Sequence, residues 1–328
     1  MTPLERFYSR VSMVEDEMAR IVPRDAPPSE VYGLIWQFLD LGGKRFRPLL
    51  ALSAARAVGG KEQDALSAAA AIELFHNFTL IHDDIEDSSQ MRRGKPCLHI
   101  QHGTPLALNA GDGLFMMVWR AALQIKSSRS AAVQALLLSS FTAVLEGQAR
   151  ELGWHHRNNW ELNEKDYLDM AAGKTAALVS AACEVGATLG GAKPAQAAAL
   201  ASYGRGIGIA FQIQDDVLNL VGDEAKYKKE IGGDIREGKR TLMVLHSLAR
   251  LAKPDAEKMR KILGSRSANS GQIDWCISKM KETGSIDYAS DYSRRLVGES
   301  LSSLSKLPKS EAREELEAVA KFIIERES

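Results

Sequence analysis

An apolar segment that ends in a cluster of acids constrains the fold of this chain more than any other feature. Residues 68–85 are rich in Ala, Leu, Ile and Phe and contain no Gly or Pro, which predicts a largely buried helix. Asp83, Asp84 and Asp87 stand at its end. Because residues four apart share a helix face, Asp83 and Asp87 lie on one face with Asp84 beside them. The chain must therefore bury a helix whose end carries three crowded carboxylates.

These carboxylates repel one another unless something neutralises them. A hard divalent cation such as Mg²⁺ suits the purpose, since it prefers carboxylate oxygens. Arg92, Arg93 and Lys95 follow directly and bring donors for anions to the same place. A solvated helix end with a basic turn is the alternative interpretation of this single motif, because structural ion pairs also cluster charges.

The same acidic spacing occurs a second time and favours the metal interpretation. Residues 210–223 form another apolar segment, in which Asp215, Asp216 and Asn219 repeat the spacing i, i+1, i+4. If the two helix ends face each other across a cavity, they form a clamp for several Mg²⁺ ions on one diphosphate. Metal would stabilise the departing diphosphate, and apolar walls would keep water from the carbocation left behind.

Seven segments, in order, resemble the trans-isoprenyl diphosphate synthases. They are GGKRFRP (42–48), HDDIEDSSQMRRGKP (82–96), NAGD (109–112), EGQARELGW (146–154), GKTAAL (173–178), FQIQDDVLNLVGD (211–223) and GGDIREGKRTL (232–242). The resemblance implies an all-α helical bundle of the isoprenoid synthase type around a central cavity. It also implies a prenyltransferase that condenses isopentenyl diphosphate with an allylic diphosphate (dimethylallyl, geranyl or farnesyl).

The rest of the chain also indicates an all-α fold. No segment shows convincing period-two alternation with β-branched enrichment. We expect helices at residues 4–21, 30–41, 48–58, 68–85, 105–125, 131–151, 164–189, 194–220, 239–250, 255–263, 272–281, 286–304 and 310–326. No low-complexity linker interrupts the sequence, so we expect residues 1–328 to form a single domain.

Composition excludes several classes of protein. Lys plus Arg and Asp plus Glu number 42 each, which gives no electrostatic reason to expect nucleic-acid binding. Cys97, Cys183 and Cys276 are widely spaced, which argues against a disulfide framework or a zinc site and favours the cytoplasm. Charges interrupt the N-terminal segment, and Glu184 interrupts the Ala/Gly-rich residues 176–192. We therefore expect neither a signal peptide nor a membrane span.

The resemblance assigns expected roles to individual residues. The implied Mg²⁺ ligands, for about three ions per active site, are Asp83, Asp84, Asp87, Asp215 and Asp216. The implied isopentenyl diphosphate site consists of Lys44, Arg47, His76 and Arg93. The implied allylic diphosphate site consists of Arg92, Lys174, Thr175, Gln212, Lys229 and Lys239, with Lys174 also catalytic. Lys228 competes with Lys229 for the matching position, and Asn219, where many members have Asp, would be a weaker or indirect metal contact.

Residue types and spacing support part of this assignment independently. Lys44 and Arg47 are three apart across a loop-to-helix junction, so both can point to one side beside backbone N–H groups. A solvated helix start is the equally good alternative for this pair. His76 lies seven residues before Asp83, which places it on about the same helix face. A lone buried His is more often a core residue, so its role depends on the resemblance.

Product length is expected to depend on the residues before Asp83. In the family the growing chain extends along the central helix until bulky side chains stop it, and here the expected wall is Phe75, Phe78 and Thr79. One aromatic and one small residue at the two usual positions, without an insertion in the first motif, predict geranylgeranyl diphosphate (C20) as the main product. Farnesyl diphosphate is the runner-up.

Two other functions and one assembly state complete the expectations. A class I terpene cyclase uses similar metal chemistry but needs no second diphosphate site, so Lys44, Arg47 and Arg93 argue against it. A non-catalytic partner subunit would keep the fold but lose the chemistry, and the nearly complete acidic motifs argue against that. The resemblance further implies a homodimer with each active site inside one subunit.

Overall fold

The computed structural model describes residues 1–222, 231–265 and 267–325. These residues are helical almost throughout and group into two compact units. The first unit consists of Met1–Phe141, Ala181–Ala201 and Lys306–Leu316. The second unit takes its described residues from Thr142–Ser180, Ser202–Ser305 and Glu317–Ser328.

Residues 1–156, all of which the structure describes, form eight helices and one hairpin. They are α1 (Pro3–Tyr8), α2 (Val11–Ile21), α3 (Ser29–Leu39), α4 (Phe46–Ala57), α5 (Glu62–Glu86), β1 (Met91–Arg92), β2 (Lys95–Pro96), α6 (Leu98–His102), α7 (Thr104–Ala122) and α8 (Ser130–His156). The C-terminal half continues with α9 (Glu164–Ala171), a π-helical turn (Ala172–Ala176), α10 (Ala177–Leu189), α11 (Pro194–Val221), α12 (Gly233–Glu237), α13 (Leu242–Leu248), α14 (Lys253–Gly264), α15 (Ser270–Glu282), α16 (Ser285–Ser303), a 3₁₀ turn (Leu304–Lys306) and α17 (Glu311–Glu325). The all-α prediction is confirmed.

Helix α5 is the centre of the first unit and packs between α4 and α7. Glu62 and Asp64 occupy its first turn, where negative charge interacts favourably with the helix dipole and stabilises the helix. Residues 68–75 follow as a fully buried run of Ala, Ile, Leu and Phe that includes one acid, Glu73. Glu73 is tolerated there because buried Arg45 donates a hydrogen bond to it at 3.1 Å. The helix therefore carries its polar end, Asp83 to Asp87, on a rigid and closely packed element.

A glycine lets α10 approach α4 closely within the same unit. A Cβ at Gly186 would lie 2.0 Å from the carbonyl oxygen of Ala51, which no side chain can occupy without movement. The Ala/Gly-rich segment is thus a close-packing surface, as its composition indicates.

Several details of the predicted secondary structure are corrected. The helix expected at 4–21 breaks between α1 and α2, where Arg10 is buried and pairs with Glu315 instead of continuing a surface helix. The helix expected at 239–250 starts only at Leu242, because Gly238 is left-handed (φ 75°) and Thr241 caps the helix. The short helices α6 and α12 were not predicted, and neither was the β1–β2 hairpin, which turns through Arg93 and Gly94, both with positive φ.

A further and more informative difference is the π-helical turn inside the helix expected at 164–189. A Cβ at Gly147 would lie 2.2 Å from the backbone nitrogen of Lys174, so α8 and this turn meet backbone to backbone. Such wide turns often occur at functional sites. This one carries Lys174 and Thr175, two of the expected substrate-binding residues.

Helix α8 is long and apolar enough to cross a membrane when judged by length and composition alone. About a third of its most apolar window, 33%, is buried within this chain. A core helix of a protein that never enters a membrane passes the same test, so this property does not make α8 a membrane span.

Candidate active site

The first aspartate motif forms the C-terminal end of α5 and is held by an arginine from the hairpin. Asp84 is only 2% exposed, and the Nε atom of Arg92 donates a hydrogen bond to its Oδ1 atom at 2.9 Å. The Nη2 atom of Arg92 donates to the same oxygen. Burial alone would lower the pKa of Arg92, but the hydrogen bond to Asp84 raises it. Arg92, expected at the allylic diphosphate, therefore also fixes the orientation of Asp84.

One oxygen of this carboxylate remains for another ligand. The Oδ2 atom of Asp84 is buried and accepts no hydrogen bond from the described part of the chain. The thiol of Cys97 lies beside the carboxylate, and burial together with the charge of Asp84 raises the pKa of that thiol to about 12. A buried carboxylate oxygen without a donor is costly, and a cation would satisfy it. The residues at this end of α5 therefore fit a divalent metal.

The expected isopentenyl diphosphate residues lie in a strongly positive environment. The pKa of His76 is lowered well below its ordinary value of 6.5 by burial and then by the charges of Arg47, Arg93, Arg92 and Arg45. Burial also lowers the pKa of Arg47, and burial and the neighbouring Arg45 lower that of Arg93. Cations crowded enough to depress one another's pKa values favour an anion among them.

Backbone geometry brings Arg93 to this cluster. Its Nη1 atom donates to the carbonyl oxygen of Gly42. The guanidinium passes directly over Gly43, where a Cβ would lie 2.9 Å from Nη2. A side chain at position 43 would therefore displace the guanidinium of Arg93. The exposed Lys44 follows it at the start of the turn into α4.

The expected chain-length wall belongs to a cluster of aromatic rings. Phe78 packs against Phe115 of α7 with ring centroids 5.1 Å apart. Phe75 stacks on Phe141 of α8 at 3.9 Å and an interplanar angle of 12°. Thr79 is half-buried, and its hydroxyl donates to the backbone carbonyl of His76 at 2.8 Å. Phe115 and Phe141 belong to the same ring cluster, and the sequence alone did not identify them because they lie far from the motif in the chain.

The second unit contains a small polar cavity that collects most of the expected allylic residues. Lys174, Gln212, Asp216 and Lys239 line it together with five residues that were not expected there: Glu151, Tyr167, Met170, Arg240 and Thr241. Thr175 joins the group through its hydroxyl, which donates to the Oε1 atom of Gln212 at 2.6 Å. The π-helical turn, α11 and the segment before α13 thus meet around one cavity.

Each lysine of this cavity has an acidic partner. The Nζ atom of Lys174 lies 2.5 Å from the Oε2 atom of Glu151. Lys239 lies 2.8 Å from both Asp234 and Glu237, and these neighbours raise its pKa well above its ordinary value although burial opposes this. Glu151 is therefore the counter-ion of a candidate catalytic lysine. Its position in the segment EGQARELGW was the only sequence signal.

The second aspartate motif is fixed by hydrogen bonds. Asp216 is 5% exposed, and burial and then the charge of Asp234 raise its pKa. The side-chain oxygen of Asn219 accepts from the backbone N–H of Asp234 at 2.9 Å. Asn219 thus anchors the GGD segment to α11, a role that an amide fills as well as a carboxylate. Its proposed metal contact stays a prediction.

Other parts of the expected site remain predictions. Lys228 and Lys229 lie outside the described residues. Asp83 and Asp215 are half-buried and lie within the last two turns of α5 and α11, and the exposed Asp87 directly follows α5. Among residues 1–222, 231–265 and 267–325, no group of three or more His, Cys, Asp or Glu side chains could hold a metal by itself.

The chain is similar to known prenyl synthases over nearly its whole length. A family model described as polyprenyl synthetase matches residues 28–280. The chain is 40% identical over 319 residues to a short chain isoprenyl diphosphate synthase of Methanothermobacter thermautotrophicus, and the match covers 97% of each protein.

Two solved structures agree. Geranylgeranyl pyrophosphate synthetase from Pyrococcus horikoshii matches with a TM-score of 0.93 and 36% identity, covering 99% of this chain and 98% of that one. Polyprenyl synthase from Caulobacter crescentus, complexed with calcium and isoprenyl diphosphate, matches with a TM-score of 0.89 and 30% identity, with the same coverage of 99% and 98%. The chain therefore belongs to the polyprenyl synthetase family and is a trans-prenyltransferase, as its seven motifs indicate.

Proposed function

We propose that this chain condenses isopentenyl diphosphate with allylic diphosphates and that geranylgeranyl diphosphate is its main product. The observation that carries the proposal is the presence of two separate cationic groups. One surrounds His76 in the first unit, and the other lines the cavity of Lys174 and Lys239 in the second. Two groups suit two diphosphate substrates, whereas a terpene cyclase binds only one.

The first group is proposed to bind isopentenyl diphosphate. Lys44, Arg47 and Arg93 supply positive charge, and the planar guanidinium groups can donate two parallel hydrogen bonds to a phosphate. His76 is neutral at pH 7 because its pKa is lowered, so it contributes one N–H donor and no charge. The double bond of the substrate is then the only nucleophile required.

The second group is proposed to bind the allylic diphosphate. Lys174 and Lys239 would exchange their acidic partners, Glu151 and Asp234, for diphosphate oxygens, and Arg92 and Lys229 would add further charge. Asp83, Asp84, Asp87, Asp215 and Asp216 would hold Mg²⁺, about three ions by family resemblance. Mg²⁺, when bound, would neutralise the negative charge that develops on the departing diphosphate. The Caulobacter relative, complexed with calcium and isoprenyl diphosphate, supports divalent-metal binding.

The proposed reaction balances without a protein base. The C–O bond of the allylic diphosphate breaks, and the diphosphate leaves with the electron pair. The double bond of isopentenyl diphosphate attacks the allylic carbocation, and the adduct loses a proton to the released diphosphate. The product is five carbons longer and can serve as the next allylic substrate.

The aromatic cluster is proposed to set the C20 limit. Phe78 is nearly buried, and it lies between His82 and Phe115, with centroid distances of 4.6 and 5.1 Å. A chain that grows along α5 would meet these rings, with Phe75 and Phe141 stacked behind them. The Pyrococcus relative is named a geranylgeranyl pyrophosphate synthetase, which supports C20 over farnesyl diphosphate.

The proposed function is tested by incubating the purified chain with radiolabelled isopentenyl diphosphate, an allylic diphosphate and Mg²⁺. Label should enter an extended prenyl diphosphate, and EDTA should abolish the incorporation. No extended product with any metal or allylic substrate would overturn the proposal. Hydrocarbon formed from a single prenyl diphosphate would indicate a cyclase, and activity that needs a second protein would indicate a partner subunit.

A cytoplasmic homodimer is proposed as the working form. All three cysteines are buried free thiols, which suits a reducing compartment. In the first unit, α7 and the start of α8 expose large apolar side chains, the most exposed being Leu123 at 73%, Met116 at 55% and Leu138 at 53%. Apolar patches of this kind mark interaction surfaces, and a second copy of the chain is the partner that the family resemblance implies.

A further inference from the structure

Tyr167 lies outside all seven sequence motifs, yet it contacts the second aspartate motif directly. It belongs to α9, and its side chain is 1% exposed, so its hydroxyl must find a partner inside the protein. That partner is Asp216, whose Oδ2 atom accepts the hydroxyl hydrogen at 2.7 Å. The phenol O–H is the donor of this pair, and the carboxylate accepts.

The second oxygen of the same carboxylate is held by a relay of two side chains. Gln212 donates from Nε2 to the Oδ1 atom of Asp216 at 2.8 Å. Thr175 donates to the Oε1 atom of Gln212, which fixes the direction of the amide and leaves its N–H₂ pointing at the carboxylate. Asp216 is therefore oriented from both sides before any ligand binds.

This arrangement leaves room for a metal on the same carboxylate. Each carboxylate oxygen has two lone pairs, and the hydroxyl and the amide each use one. The remaining lone pairs keep a fixed direction because both donors come from packed helices. Groups that orient a ligand in this way typically influence metal affinity without touching the metal.

We propose that Tyr167 is a positioning residue of the second aspartate motif, whose hydroxyl holds Asp216 in the orientation that binds metal and diphosphate. The inference rests on the proposed function, since it assigns Tyr167 to the same site. In this proposal Tyr167 acts through Asp216. Removal of the hydroxyl leaves the carboxylate held by Gln212 alone, so metal and diphosphate bind more weakly although the fold is kept.

The test is isothermal titration of inorganic pyrophosphate, in the presence of Mg²⁺, into full-length wild type, Tyr167→Phe and Tyr203→Phe. Tyr203 is the matched control, because it is equally buried but lies 13 residues before Asp216 on α11, roughly 20 Å along the helix axis. Tyr167→Phe should weaken binding roughly tenfold. Tyr203→Phe should leave the affinity unchanged.

A double-mutant cycle separates positioning from a general structural effect. In an Asp216→Asn background, Tyr167→Phe should cause no further loss of affinity, because the group through which it acts has already been changed. Wild-type affinity in a folded Tyr167→Phe, or a loss that simply adds to that of Asp216→Asn, would overturn the inference.

Two remaining outcomes are also decisive. If wild type itself binds no pyrophosphate with Mg²⁺, the proposed function fails and the inference fails with it. If Tyr167→Phe does not fold, Gln212→Leu removes the donor to the other oxygen and should also weaken binding roughly tenfold. Wild-type affinity in Gln212→Leu would show that Asp216 needs no fixed orientation and would overturn the inference.

Discussion

At the scale of single residues, His76 shows how its surroundings decide a protonation state. Its folded pKa is lowered by burial and by Arg47, Arg93, Arg92 and Arg45, so the unfolded chain binds the proton first as the pH falls. The stability that neutral His76 contributes is therefore complete above the unfolded pKa of about 6.5 and is lost as the pH falls below it.

His76→Gln should remove this pH dependence, because the amide is a neutral donor that does not titrate. Between pH 7 and pH 5 the free energy of unfolding of wild type should fall more steeply than that of the variant, by up to about 1.4 kcal/mol per pH unit. Urea unfolding at pH 8, 7, 6 and 5 measures the free energy of unfolding of both proteins. The difference between the two values should be constant above pH 7. Equal slopes for the two proteins would show that His76 titrates normally.

The sequence motifs identify the acidic and basic side chains of the candidate site, but they do not identify the residues that orient those side chains. Glu151 was visible as a carboxylate in a matching segment, but its pairing with Lys174 depends on the contact between α8 and the π-helical turn. Tyr167 gave no signal at all, because a buried aromatic residue at helical spacing is ordinarily a core residue. Both acquire a role only when separate helices meet.

At the scale of elements, the sequence predicts where the long helices lie, but it does not predict where they are interrupted. Residues 62–86 and 194–221 form long helices because they are rich in Ala and other apolar residues and contain no Pro beyond the first helical position. The π-helical turn at Ala172–Ala176 depends on the contact of Gly147 with Lys174 across two helices, so local propensity contains no trace of it. The β1–β2 hairpin was missed because two-residue strands are too short to show a period.

Two glycines in helices should respond oppositely to substitution by alanine. A Cβ at Gly186 would clash with the Ala51 carbonyl oxygen, whereas a Cβ at Gly298 meets no atom within 4 Å. Gly186→Ala should lower the free energy of unfolding by roughly 1–3 kcal/mol through overpacking. Gly298→Ala should raise it by about 0.5–1 kcal/mol, because the unfolded chain loses conformational freedom. Urea unfolding of both variants measures these changes, and a stabilised Gly186→Ala would contradict the close packing of α10 on α4.

The aromatic wall between α5 and α7 should control product length. Phe78→Ala opens space beside Phe115, so the main product should lengthen from C20 to C25 or longer. Phe78→Tyr keeps a ring in place and is the matched control, which should retain C20. Chromatography of the dephosphorylated products reports the lengths. Unchanged length in Phe78→Ala, with elongation in Phe115→Ala, would place the stop on α7.

At the scale of the whole molecule, assembly should depend on the apolar surface of α7 and α8. Wild type should sediment as a dimer, near twice the calculated 35.9 kDa. Replacement of the exposed apolar pair Met116 and Leu123 by Lys should shift it toward monomer, because a charge buried without a partner opposes association. Sedimentation velocity over a range of concentrations measures this. A wild type that remains monomeric at working concentrations would contradict the proposed dimer.

Mass spectrometry of the dephosphorylated products of the wild-type chain tests the central claim most directly. The chain is incubated with isopentenyl diphosphate, Mg²⁺ and, in separate reactions, dimethylallyl, geranyl or farnesyl diphosphate. The two cationic groups and the aromatic wall predict the same main product, geranylgeraniol, from all three allylic substrates. An absence of any alcohol longer than the supplied allylic substrate, in all three reactions, would contradict the account.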